Sequence, residues 1–397
     1  MDSQHESDST NRSDWSSESV RCARRMNDRL ECDNSTRIRN RLLETASEAS
    51  TSISAPGCPS SEGSTDFRDL QSVADSLFAD LKAGRHQSRD LRGLLVNLIC
   101  LSGIKPSQWT HPLVEKISEY PFATTPTSDV HLAYLEVCER DLPVVHVALK
   151  SPRHYLSKRN SESTSRRQFW EEVITWTLLD HPNILRCLGL ASTTPSSFRI
   201  AVVSPFQHRG TLVDYLQQFP GADRISLLTG IADGLRYLHS LPIPILHGDL
   251  KGVNIVVSDD GTPMIMDFGS SVHMIGSTTK VVPRGTYRWM AYEIVNPNTY
   301  PITLFADSFS FASTAVEVFS GKPPFDQIQT EGGVILELMV RKGHPSRPEG
   351  PGAEQLSDAL WQLLLRCWSI DPVDRPSMGE ISSFLKRSTL GGIRITA

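Results

Sequence analysis

The chain has 397 residues, of which 39% are hydrophobic and 21% charged, with a formal net charge of −5. That length admits one large domain with extensions or two to three small ones. So slight a charge bias gives no argument for nucleic acid or an acidic membrane surface, and neither is expected as a partner. Cys22, Cys32, Cys58, Cys100, Cys138, Cys187 and Cys367 are odd in number, scattered and without metal-ligand spacing, as expected of reduced thiols inside a cell. The polar start MDSQHESDST does not read as a signal peptide, so none is expected, and the most apolar stretch, LRGLLVNLICLSGI, reads as too short and interrupted to cross a bilayer. A cytoplasmic, or else nuclear, protein is expected.

Residues 1–65 are rich in Ser, Thr, Asp, Glu and Arg, lack a lasting apolar period and are expected to be disordered, apart from a short helix over RLLETASEA. From Asp66, a residue that can cap, Phe67, Leu70, Val73, Ala74, Leu77, Phe78 and Leu81 recur at helical spacing, and Gly84 is a stop. A second helix, RDLRGLLVNLICLSG, also ends at a glycine. Residues 66–111 thus read as a helical extension that either packs on its neighbour or docks a regulatory partner. VHLAYLEV and PVVHVALK then read as strands, and RRQFWEEVITWTLL as a helix with Phe169, Val173 and Trp176 on one stripe. From Ile225 onward helices dominate, for example RISLLTGIADGLRYLH and QLSDALWQLLLRCW. Strands first and helices later predict an α+β fold with a small sheet lobe and a larger helical lobe.

Glu172 projects from the apolar face of its predicted helix, whereas Glu171 looks to solvent. A carboxylate on that face needs a cation, and Lys150, at the end of the apolar run VVHVALK, needs an anion. By itself such a pair reads more often as a structural salt bridge than as a functional one. Further on, HGDLKGVNIVV gathers His247, Asp249, Lys251 and Asn254 ahead of a short apolar strand. The stretch NIVVSDDGTPMIMDFG reads as a hairpin turning at DDG. It brings Asn254 and Asp267 to one side as hard oxygen ligands suited to Mg²⁺ beside a phosphate.

These motifs, in this order, resemble the eukaryotic protein kinases. VALK matches their strand lysine, WEEV the helix glutamate, HGDLKGVN the catalytic loop and DFG the metal-binding motif. MAYE stands where Ala-Pro-Glu is usual, DSFSFA carries the Asp of the central C-lobe helix, and DPVDRPSM supplies Arg375 as partner for Glu293. The resemblance spans residues 115–388 and leaves 389–397 as a tail. It implies a two-lobed α+β fold and an ATP-dependent transfer of phosphate to Ser or Thr hydroxyls of protein substrates, in intracellular signalling. On this resemblance Lys150, held by Glu172, would neutralise the α- and β-phosphates of ATP, and Asp267 and Asn254 would hold Mg²⁺. Asp249 would orient the substrate hydroxyl and accept its proton, and Lys251 would steady the γ-phosphate. Val130, Ala148, the gatekeeper Ser204 and the hinge residues Pro205, Phe206 and Gln207 would complete the nucleotide site. Lys251 and Thr286 resemble the Ser/Thr-specific pattern, and GTYRWMA resembles the tyrosine-kinase-like group.

Three departures stand against that pattern. Ala123, Thr125 and Ser128 occupy the positions of the loop glycines whose absent side chains let backbone N–H groups close over phosphates. Gly248 replaces the catalytic-loop arginine, and Tyr292 replaces the proline of Ala-Pro-Glu. The alternative they raise is a pseudokinase, a binding or scaffold module with little phosphoryl transfer.

Overall fold

The computed structural model describes residues 67–83, 89–109, 114–116, 118, 120–125, 128–135, 145–153, 162–194, 197–274 and 287–391. The expected disorder of residues 1–65, the helix over RLLETASEA, Asp66, Gly84, Ser277, Thr278, Thr279 and Thr286 lie outside them. The chain divides into two units: one of residues Met1–Thr110 with Ser163–Glu171, the other of His111–Glu162 with Glu172–Ala397.

In the first unit the helical spacing near the start becomes α1 (Phe67–Lys82), followed by α2 (Arg89–Ser102). Ala74, Leu77 and Phe78 of α1 and Leu95, Val96 and Ile99 of α2 are buried, a stripe on each helix as the period requires. Gly103, at φ +73°, ends α2 with its N–H on the Ile99 carbonyl at 2.9 Å, a left-handed position that suits glycine. A turn over Ser107–Trp109 folds back, with the Trp109 ring edge-on to Phe78 at 5.0 Å and Gln71 Nε2 donating to the Lys105 carbonyl at 2.9 Å.

The second unit opens with a six-stranded antiparallel sheet of order β1-β3-β4-β6-β5, with β2 paired to β3. The strands are β1 (Val114–Lys116), β2 (Ala123–Thr124), β3 (Ser128–Leu135), β4 (Val145–Pro152), β5 (Gly189–Thr194) and β6 (Ser197–Pro205). The period of two sends Val147 and Leu149 into a core with Ala133, Ala191, Ala201 and Val203. Ala148 and Lys150 therefore point to the opposite face. Register places Val130 opposite Lys150, and Ala148 opposite Ser204. Between β4 and β5 runs α3 (Glu162–Thr177), whose residues from Glu172 onward belong to this unit.

Beyond β6 the described residues are mainly helical: α4 (Leu212–Gln218), α5 (Arg224–Ser240), α6 (Tyr292–Val295), α7 (Phe305–Ser320), α8 (Glu331–Met339), α9 (Asp358–Cys367) and α10 (Met378–Gly391). Short pairs β7 (Ile245–Leu246) with β10 (Val272–His273), and β8 (Ile255–Val257) with β9 (Pro263–Ile265), lie among them. Helix α7 is buried from Ala306 to Phe319, which a run as apolar as FSFASTAVEVF demands. Two of its hydroxyls find carbonyls: Ser310 donates to that of Trp289 at 2.8 Å and Thr314 to that of Ser310 at 2.8 Å. Arg375 grips both oxygens of Glu293, at 2.7 and 2.9 Å, with neither side chain exposed. Tyr292, at the proline position, is buried against Phe309 (5.2 Å) and donates its hydroxyl to the Gly343 carbonyl at 3.1 Å. Helix α10 ends at Gly391.

Candidate active site

Lys150 leaves the sheet on the face away from its aliphatic core and finds two carboxylates. Its Nζ lies 2.8 Å from Glu172 Oε1 on α3 and 2.8 Å from Asp267 Oδ1. Burial alone would lower the ammonium's pKa; the two carboxylates outweigh it and hold the value above the ordinary one. Burial raises the Glu172 carboxyl in spite of Lys150, and Asp267 adds to that rise. For Asp267 burial again pushes up, but Lys150 wins and brings it down to about 2. Glu171, by contrast, is exposed and pairs with Arg167 at 2.9 Å.

The β8–β9 hairpin delivers Asp267. Its turn closes through Ser258 N–H to the Thr262 carbonyl (3.0 Å), with Gly261 at φ +85° where DDG predicts it. Asp267 itself is left-handed, at φ 65°, and accepts from Gly269 N–H at 3.4 Å. The next residue, Phe268, is buried against His247 (5.5 Å) and Trp176 (6.3 Å). Those rings fill the space between α3, the hairpin and the loop over 247–254.

That loop is pinned from beneath by two acids of α7. Asp307 accepts the backbone N–H groups of His247 (2.9 Å) and Gly248 (3.0 Å) and contacts His239 Nε2 at 2.8 Å. Its carboxyl is pushed up by burial, but His239, His247 and the Gly248 N–H together outweigh this and the pKa falls below the ordinary value. Glu317 accepts Gly252 N–H at 2.8 Å and Trp289 Nε1–H at 3.2 Å, and burial raises its carboxyl. Sequence reasoning noted Asp307 and missed Glu317, though an acid inside AVEVF advertises a need for a partner.

Above these anchors the loop's own side chains converge. Lys251 Nζ lies 2.8 and 3.0 Å from the two oxygens of Asp249. Asn254 Nδ2 donates to the Asp249 carbonyl at 2.7 Å and to its Oδ2 at 3.0 Å. With its nitrogen so engaged, the Asn254 carboxamide oxygen is the atom left to act as a ligand. Gly248 has φ +76°, and a Cβ there would stand 3.0 Å from the Ser270 carbonyl oxygen, so this backbone suits glycine better than any residue with a side chain.

At the hinge, Ser204 is buried and pairs across to Ala148. Phe206 N–H donates to the His146 carbonyl at 3.0 Å, and Gln207 Nε2 to the Pro205 carbonyl at 3.3 Å. The segment in the glycine-loop position closes on itself. Thr125 N–H donates to the Ser128 carbonyl (2.8 Å), and Ser128 N–H to Thr125 Oγ1 (2.9 Å). Asp129 beside it is held by Arg153 at 2.7 Å.

Residues 140–384 match the protein kinase domain family. The chain belongs to that family. It is 32% identical over 225 residues to RGS domain-containing serine/threonine-protein kinase A of Dictyostelium discoideum, covering 55% of this chain and 18% of that protein. It is 31% identical over 225 residues to serine/threonine-protein kinase STY17 of Arabidopsis thaliana, covering 56% and 37%. Mitogen-activated protein kinase kinase kinase 7 of Bos taurus is 30% identical over 232 residues, with 56% and 38% covered. The chain thus spans well under half the length of these relatives. Among the described residues no helix is long and apolar enough to cross a membrane.

Proposed function

We infer that the protein is an ATP-dependent serine/threonine protein kinase. The observation that carries this reading is Lys150 held between Glu172 and Asp267, 2.8 Å from each, in a fold where Asp249, Lys251 and Asn254 also meet. A buried ammonium fixed by two acids is ready to exchange part of its pairing for the α- and β-phosphates of ATP. Asp267 and Asn254 offer carboxylate and carboxamide oxygens, a hard donor set that fits Mg²⁺ completed by phosphate and water; the ion would neutralise charge on the phosphates. Asp249, oriented by Asn254 and Lys251, receives the hydroxyl proton of a Ser or Thr side chain. That oxygen forms the new bond to the γ-phosphorus, the bond from the β–γ bridging oxygen breaks, and ADP leaves with the electron pair. Lys251 balances charge on the transferring group. The names of the relatives and the Lys251 position both support Ser/Thr acceptors in protein substrates.

The test is a phosphodonor assay on the purified full chain with Asp249→Asn beside it. Loss of the base should cut transfer by at least about 100-fold while nucleotide-induced thermal stabilisation persists. Equal rates in the two proteins would overturn the assignment.

A further inference from the structure

The first unit contains more than two N-terminal helices, because residues 163–171 of α3 belong to it. The sequence of α3, ESTSRRQFWEEVITWT, is a weak helix by itself. Its Ser and Thr residues compete for backbone groups, and Val173, Ile174, Thr175 and Thr177 lose side-chain freedom in a helix. A helix of this length is marginal in water without packing.

The first half of α3 is held by α2 and the residues just after it. Arg167 Nη1 donates to Asn97 Oδ1 at 2.8 Å, while its Nε donates to Glu171 at 2.9 Å. Arg166 Nη2 donates to the Cys100 carbonyl at 3.2 Å. That carbonyl lies in the last turn of α2, where acceptors lack intrahelical donors and the negative helix end favours a guanidinium. Trp170 is 1% exposed, with Lys105 Nζ 6.0 Å from its ring centre. Two residues further along the same helix comes Glu172. Were α3 to fray there, the Glu172 carboxylate would lose its cation, and Lys150 would keep Asp267 alone.

We propose that α1 and α2 form an internal positioning element for phosphoryl transfer, holding the first half of α3 helical through Asn97–Arg167 and Cys100–Arg166 so that the helix carries on through Glu172, the partner of Lys150. The consequence for catalysis rests on the kinase reading above. Arg166 and Arg167 are then positioning residues, and the face of α2 that carries Asn97 is occupied by the chain's own helix rather than kept for an outside partner. These helices lie outside the residues matched by the kinase family.

The experiment uses the full chain with Arg166→Ala/Arg167→Ala, and separately Asn97→Leu and Asn97→Asp. Hydrogen exchange at residues 172–177 and calorimetric titration with ATP·Mg are measured, each in native and Glu172→Gln backgrounds. The double alanine variant and Asn97→Leu should speed exchange at 172–177 and weaken nucleotide binding about three- to tenfold, the size of one or two such hydrogen bonds. Asn97→Asp keeps an acceptor for Arg167 and should behave as wild type. In the Glu172→Gln background the same changes should no longer affect nucleotide binding. A lower melting temperature with exchange at 172–177 and ATP affinity unchanged would overturn the proposal, as would an equal affinity loss in both backgrounds. A wild-type chain that transfers no phosphate would instead fail the kinase reading, and the exchange result would still decide whether α2 positions α3.

Discussion

At φ +76°, Gly248 stands between His247, whose ring packs on Phe268, and Asp249, which faces the reacting hydroxyl in the proposed mechanism. Its N–H is fixed on Asp307, and the Ser270 carbonyl blocks the space a Cβ would need. The sequence raised only the missing arginine; the backbone supplies a reason for glycine, since a left-handed residue with a side chain costs about 1–2 kcal/mol. Without a guanidinium at 248, a phosphate on Ser277, Thr278 or Thr279 loses the charge-assisted partner it meets in many kinases. Activity should therefore be unchanged when the purified protein is treated with phosphatase and the removal confirmed by mass spectrometry. A loss of activity reversed by phosphate on those three residues would show that another cation has taken over the role.

The hairpin of β2 and β3 poses a problem for nucleotide binding at the scale of an element. Its Thr125 and Ser128 N–H groups are spent on each other's oxygens, and Pro126 has no N–H to offer. Glycines at 123, 125 and 128 would free Ser128 N–H by removing the Thr125 hydroxyl and would let the chain approach a phosphate. Each hydrogen bond regained to a charged group is worth roughly 1.5–3 kcal/mol. Ala123→Gly/Thr125→Gly/Ser128→Gly should then bind ATP·Mg at least about tenfold more tightly in calorimetry. Unchanged affinity would mean that Lys150 and the groups around Asp267 already set the limit. The chemical identity of the loop was legible in the sequence because glycine is either present or absent. The Thr125 bond was not, since a side chain turning back onto its own hairpin leaves no period to read.

Across the molecule, local patterns made some placements plain in the sequence. Lys150 at the end of VVHVALK needed an anion and the acid on the apolar face of WEEV a cation, and the two meet at 2.8 Å. Long-range placement was harder to read: nothing local to AVEVF says that Glu317 receives the N–H of Gly252, 65 positions earlier. Nor does RRQFW announce that its arginines meet Asn97 and the Cys100 carbonyl.

The same buried charges give the fold a signed dependence on pH. Asp267 falls to about 2 against an ordinary 3.8, so its pairing with Lys150 contributes stability that is complete above pH 3.8 and is lost as pH falls through about 2. Asp307 is also lowered and acts in the same direction. Glu172 and Glu317 are raised, so their contribution is present below the ordinary 4.5 and is lost as pH rises through their folded values. Comparing Glu172→Gln with Glu172→Gln/Asp267→Asn by urea unfolding removes the titration of Glu172, which Asp267 itself raises, and leaves that of Asp267. In that background the advantage of Asp267 over asparagine should be constant from pH 7 to about 4 and shrink between 3.8 and 2, because a protonated Asp267 is nearly the asparagine. An advantage that persists undiminished at pH 2, or fades already near pH 6, would mean that Lys150 does not hold Asp267 ionised in the folded chain.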